Sequence, residues 1–424
     1  MAGARGYFFL SILFVGFAFA SPPWRASGAY ASSHCVDLLL NEVLGTHSLG
    51  FDPATTEVIR AYNLAVTYSA NKPRANTPAQ AIKAYLKVRR HLEAAKLLLP
   101  ENVHLQKATI ELEPISTMIA LYHELRGPRD KYDNVAAELR VYARDLKSYL
   151  ADQALALETA RSFDQAVWLY SLMRESPKKA ETHLYLADRY EKMGRLQESA
   201  WLFRRAGEYA RAEALEATIE EVLREAPIRS KRPMAGKGVF SRSATHPYLV
   251  DLEGGITAVV RVEKDHFASN IDHEVGAFHL DRALALDVVP VTVIREIEGA
   301  RCSLQYFFKD APVAALLNHH SSNFKIRLLN DLLERFDTHA TNAVVLPLDL
   351  QATFDFGYLA EASNAFVYAP PLSPRLHFDA VRVTSSIRDA DVEKIRTQLG
   401  DSFGEARLNH VLRKIELLKA ELSP

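Results

Sequence analysis

Asp337, Asn342 and Asp355 are the residues whose types and spacing suit a reaction. The stretch around them reads Arg335-Phe-Asp337-Thr-His339-Ala-Thr-Asn342, then an apolar run through Leu348, then Asp349-Leu-Gln-Ala-Thr-Phe-Asp355-Phe-Gly357. A phosphoryl group in transfer needs a divalent cation to neutralise its charge, and hard cations take oxygen ligands. The Asn342 amide and the Asp355 carboxylate supply such oxygens. An acceptor hydroxyl needs a carboxylate to orient it and take its proton, and Asp337 lies on the loop that carries Asn342. Base first, two metal ligands after it, is the order in which phosphoryl-transfer sites present these groups. A plain β-hairpin with a capping Asp and a turn Gly is the structural alternative.

Two short strands, Val344-Val345-Leu346 and Thr353-Phe354, are predicted to carry both loops to one cleft. Upstream, strand texture begins at Tyr248-Leu-Val-Asp-Leu252, turns at Gly254-Gly255 and returns as Thr257-Ala-Val-Val-Arg261-Val262. A helix follows from Asn270, with Glu274, Phe278 and Asp281 on one face at i, i+4 and i+7. Leu286–Ile294 reads as the next strand. The closing segments Asp389–Leu399 and Gly404–Leu422 read as helices, the last with Leu408, Val411, Leu412, Ile415 and Leu418 on one side.

Glu274-Val-Gly-Ala-Phe-His-Leu-Asp-Arg282, Val289-Pro290-Val-Thr292, Asp337-Thr-His-Ala-Thr-Asn342 and Phe354-Asp355 together resemble the atypical kinases of the secretory pathway. That group comprises the Golgi casein kinase and xylosylkinase family and its bacterial relatives, with HipA-like and phosphatidylinositol kinases more distant. The likeness covers about 236–360. It implies a two-lobed protein-kinase-like domain that uses ATP with Mg²⁺ or Mn²⁺. By that resemblance Glu274 holds the nucleotide-binding cation, Asp337 is the catalytic Asp, Asn342 and Asp355 are the metal ligands, and Gly236 and Gly238 form a reduced glycine loop. The strand before the Glu-helix departs from the pattern: Arg261 stands where the resembling proteins carry Lys. Arg pairs with carboxylate and phosphate alike, but its fork is larger and fixed.

The N-terminal half is helical in texture from about Ala29 to Ala226, rich in Ala, Leu, Glu and Arg. Ala166-Val167-Trp168-Leu169-Tyr170 recurs as Ser199-Ala200-Trp201-Leu202-Phe203, and Tyr185-Leu-Ala187, Tyr190 and Gly194 lie between them. Over about 165–215 this resembles a tetratricopeptide repeat, which implies a protein partner on the helical half. A generic helical hairpin with aromatic core residues is the other reading. Pro227, Pro233, Gly236 and clustered charge break the pattern and predict a basic linker.

The chain has 424 residues and a net charge of -1, a balance that excludes a dedicated nucleic-acid binder of the basic kind. Arg5, the apolar run Tyr7–Ala20 and the small residues Ala18 and Ala20 predict a secretory signal peptide cut after Ala20. The run falls short of the ~20 residues that span a bilayer. Cys35 and Cys302, the two cysteines, either pair after export or remain free thiols.

The sequence thus predicts an α+β protein: a signal peptide over 1–20, an all-α, helical-repeat-like domain over 21–226, a linker over 227–238 and a kinase-like domain over 239–424. The leading function is an exported enzyme that transfers phosphate from ATP to a hydroxyl of a protein, sugar or lipid. A pseudokinase and a tetratricopeptide-type scaffold without catalysis are the alternatives. Nucleotide binding separates the first two from the third, and turnover separates the first from the second.

Overall fold

The computed structural model describes residues 49–70, 78–110, 130–173, 175–234, 247–263, 270–309, 324–334, 343–346, 350–353 and 378–422. The described residues are α+β, mostly helical, with a five-stranded antiparallel sheet and a separate two-stranded hairpin.

Among the described residues the N-terminal half supplies α1 (Pro53–Ala70), α2 (Pro78–Leu98), α3 (Val103–Ile110), α4 (Asp130–Thr159), α5 (Phe163–Met173), α6 (Ala180–Lys192), α7 (Leu196–Arg205) and α8 (Tyr209–Glu225). Local chemistry sets several boundaries. Pro53 occupies the first position of α1, where its missing N–H costs nothing, and Asp52 Oδ1 accepts from the Thr55 amide at 2.9 Å. Gly194 and Gly207, at φ 72° and 89°, end α6 and α7 in the left-handed conformation that glycine adopts without strain. Leu139, Tyr142, Leu146 and Leu150 of α4 are fully buried. Between α6 and α7 the Ser199 hydroxyl donates to the Ala187 carbonyl at 2.9 Å, an approach that small residues permit.

The sheet has the order β1-β2-β3-β5-β4 and is antiparallel throughout. Its strands are β1 (Ile228–Pro233), β2 (Tyr248–Leu252), β3 (Thr257–Val262), β4 (Thr292–Ile297) and β5 (Ala300–Tyr306), with helix α9 (Ile271–Ala283) between β3 and β4. Thereafter come α10 (Phe324–Leu333), the hairpin β6 (Ala343–Val345) and β7 (Gln351–Thr353), and closing helices α11 (Phe378–Arg388), α12 (Val392–Leu399) and α13 (Glu405–Leu422).

The segment expected to be a linker, 227–238, differs in its first part. Residues 228–233 pair with β2 as an edge strand, Arg232 opposite Leu249 and Pro233 opposite Tyr248. Its side chains are mostly exposed and charged, so the alternation that marks a strand is missing, and its Pro sits at the end of an edge where no ladder donor is lost. The helical half also packs on the sheet instead of standing apart from it. One continuous apolar core includes Trp201, Ile219 and Leu223 together with Val250, Val260, Leu304 and Tyr306. Trp201 meets Phe308 ring to ring at 5.5 Å. Polar contacts lock the same seam: the Val291 amide donates to Gln197 Oε1 at 2.8 Å, Tyr306 OH to Glu198 at 3.2 Å, and Arg295 to the Ala226 carbonyl at 2.7 Å.

No helix among the described residues is long and apolar enough to cross a membrane.

Candidate functional site

Two elements bring Arg261 and Glu274 together. Arg261 lies in β3, a strand with neighbours on both sides, where Ser303 of β5 is its partner. Glu274 lies in the first turn of α9. That helix starts where it does because the Asn270 side chain accepts from the amides of Asp272 and His273, and the acidic Asp272 and Glu274 suit the positive end of the helix dipole. Arg261 Nη1 stands 3.4 Å from Glu274 Oε1, with side chains only 7% and 1% exposed. A buried charge is tolerated only with a partner, since its desolvation costs several kcal/mol. The pair therefore ties β3 to α9.

The face of α9 anticipated from its spacing is also buried. Glu274, Phe278 and Asp281 are all buried. Farther along the chain, β6 and β7 pair antiparallel with Ala343 opposite Thr353 and Val345 opposite Gln351. Val344, Leu346, Leu350 and Ala352 are buried and anchor this hairpin in the core. At its open end the chain arrives from Asn342 and departs to Phe354 and Asp355. Asp337, Asn342 and Asp355 lie outside the described residues. So do Gly236 and Gly238, which fall between β1 and β2.

The Val288 peptide ties the hairpin to the loop after α9. The Thr353 amide donates to the Val288 carbonyl at 2.7 Å, and the Val288 amide donates to Asp281 Oδ1 at 3.0 Å. Asp281 thus holds the loop after α9, and that loop holds the strand leading to Asp355. Burial, and next the nearby Asp287 charge, push the Asp281 carboxyl up to about 8.

Sequence reasoning missed the ionic cluster beside this loop. Arg204 of α7 donates to Asp287 Oδ1 at 2.5 Å and to Glu216 Oε2 of α8 at 2.6 Å, and all three side chains are at most 8% exposed. Burial opposes the Arg204 charge, but the Asp287 and Glu216 carboxylates outweigh it and hold its pKa above the ordinary value. From α9, Arg282 reaches Glu216 at 3.2 Å and Glu220 at 2.9 Å. No local pattern announces such a cluster, because its two sides, α7 and α8 on one and α9 with the following loop on the other, meet across 62 to 83 residues of chain.

On its other flank α9 is set by a close approach. A Cβ at Gly276 would stand 2.6 Å from Phe403 Cζ and 2.9 Å from Ser402 Cβ, so only glycine lets the 402–403 turn seat against the helix. Among the described residues no group of three or more His, Cys, Asp or Glu is arranged to hold a metal ion. A hollow of about 550 Å³, lined by Tyr248, Val262, Ile297 and Cys302 among others, includes none of the candidate residues. Val262 and Cys302, partners in the ladder, alternate with Arg261 and Ser303 and so face the opposite side of the sheet.

No protein-family model matches the chain, and no curated protein matches it. A solved structure, the Helicobacter pylori proinflammatory kinase CtkA, is similar over 47% of this chain and 94% of its own, at 14% identity and a TM-score of 0.31. A likeness that loose carries no argument here.

Proposed function

We propose that the chain is an exported, ATP-dependent phosphotransferase of kinase type acting on a hydroxyl group of a protein, sugar or lipid. The observation that supports it most directly is the buried Arg261–Glu274 pair, 3.4 Å long, between a central strand and the helix that follows it. In phosphoryl-transfer folds of this kind a strand cation paired with a helix carboxylate anchors the nucleotide phosphates. The pairing of Ala343 with Thr353 adds support, since Asn342 immediately precedes the first in the sequence and Asp355 follows the second by two residues.

In this reading Arg261 contacts the phosphates and Glu274 orients it. Asn342 and Asp355 would hold Mg²⁺ or Mn²⁺, which would supply positive charge to offset that of the transferring group. Asp337 would accept the proton of the acceptor hydroxyl as that oxygen bonds to the γ-phosphorus and the bond from that phosphorus to ADP breaks, ADP leaving. The buried charge of Arg261 and the oxygen chemistry of Asn342 and Asp355 fit a metal–nucleotide ligand. Gly236 and Gly238 would serve as the reduced glycine loop, and the helical half would dock a protein partner.

The test is a thermal-shift titration of the mature chain with ATP and Mn²⁺. Stabilisation of about 2.7 kcal/mol is expected at a hundredfold excess over the dissociation constant. It should vanish in Asp355→Ala. No shift in wild type, or equal shifts in both chains, would refute the reading.

The identity of residue 261 favours one second reading. Arg where related sites use Lys displaces the phosphates, and a misplacement of ~1 Å costs about a hundredfold in rate. A pseudokinase would bind the nucleotide and fail to turn it over.

A further inference from the structure

We propose that Arg204, in the helical half, is a positioning residue for the site: by holding Asp287 it fixes the loop whose Val288 peptide joins helix α9 to the strand that leads into Asp355. This inference rests on the phosphotransferase reading and extends it, for it makes the helical half a working part of that site.

The path consists of direct contacts. Arg204 grips Asp287 at 2.5 Å, and the next peptide in the chain is that of Val288. Its N–H is held by Asp281 of α9 at 3.0 Å, and its carbonyl holds the Thr353 amide at 2.7 Å. Thr353 is two residues before Asp355. Displacing Asp287 would therefore move the acceptor on which the end of β7 hangs.

The loop needs such an anchor. Ala285 and Asp287 both occupy the left-handed region, at φ 51° and 54°. Non-glycine residues persist there when surrounding contacts over-determine them. Arg204 is such a contact, and the same guanidinium bonds Glu216 on the adjacent helix, so the anchor is itself held on two sides. Buried ionic groups of this kind are weak as stabilisers, because desolvation offsets their attraction. Their use here is to fix one geometry. The cluster carries more carboxylates than guanidiniums: Arg204 and Arg282 face Glu216, Glu220 and Asp287.

Hydrogen exchange on the full chain tests this without relying on activity. The variant of choice is Asp287→Asn, since asparagine tolerates left-handed backbone better than most residues and keeps an acceptor oxygen. Exchange at the Val288 and Thr353 amides should rise about tenfold or more, while amides of the β3–β5 ladder stay protected. Arg204→Lys, which retains charge and loses the fork, should give an intermediate rise. Affinity for Mn²⁺·ATP, read by thermal shift, should fall about tenfold, as when an outer-shell partner of a metal site is removed. Unchanged exchange at both amides, or a uniform rise across the whole chain, would overturn the role of Arg204 even if wild type binds Mn²⁺·ATP. If wild type binds no Mn²⁺·ATP while the local exchange responds, the phosphotransferase reading fails and the positioning claim fails with it, although the contact path is real.

Discussion

Gly276 and Phe403 touch so closely that a Cβ at 276 would lie 2.6 Å from the ring, inside any ordinary contact. The closing helices thereby set how near α9 comes to them, and through α9 where Glu274 stands. Gly276→Ala should destabilise the chain by about 1–3 kcal/mol through overpacking, despite alanine's better helix propensity. Thermal unfolding measures this. The double variant Gly276→Ala/Phe403→Leu should recover part of the loss. If the single variant is as stable as wild type, the contact is not limiting.

The Arg261–Glu274 pair predicts an asymmetry. Arg261→Ala takes from a carboxylate that is 1% exposed a partner 3.4 Å away, and should cost about 3 kcal/mol or more. Arg261→Met combined with Glu274→Leu should cost much less, because no buried charge remains. Denaturant titration of the three chains gives the answer. In an ATPase assay with Mn²⁺, turnover by wild type that disappears in Asp337→Ala identifies an enzyme. Activity seen only in Arg261→Lys identifies a pseudokinase.

Asp281 predicts a pH dependence. Its carboxyl is raised from 3.8 to about 8 in the fold, so between those values the folded chain keeps a proton that the unfolded chain has released. The stabilisation is fully present below 3.8 and is lost as pH rises through about 8. The slope is at most about 1.4 kcal/mol per pH unit. Asp281→Asn retains an acceptor for the Val288 amide and removes the proton, so the difference between wild type and variant should carry this slope. A pH-independent difference between them would mean that Asp281 ionises normally.

The seam between helices and sheet predicts one cooperative unit where the sequence suggested two. Residues 21–226 and 227–424 expressed as separate chains should co-purify and unfold together in a single thermal transition. Each alone should aggregate, since Trp201, Ile219 and Leu223 on one side and Val260, Leu304 and Tyr306 on the other would be exposed. Two independent transitions would contradict the shared core.

What could be read beforehand was local or periodic. The hairpin at 343–353 and the buried face of α9 follow from short apolar runs and helical spacing, and the meeting of Arg261 with Glu274 from the kinase resemblance together with their opposite charges. Edge strand β1 was invisible for the opposite reason: a strand with neither face buried leaves no alternation, and Arg229, Lys231, Arg232 and Pro233 look like linker. The Arg204 cluster was invisible because a single Arg among many, 83 residues from its partner Asp287, carries no pattern. Closing it requires the whole fold.

The composition of β1 has one more effect. Edge strands invite a second chain to add its own strand, and this one is dressed against that. Lys231 pairs with Glu298 and Arg232 with Asp251, while Ser230 donates to Asp251 at 2.7 Å, and the strand closes on Pro233. A newcomer would have to desolvate those side chains and would meet no amide hydrogen at the proline. Replacing Arg229, Lys231 and Arg232 by threonine and valine would leave the fold's core untouched, yet would turn a guarded border into a seed for intermolecular β-assembly.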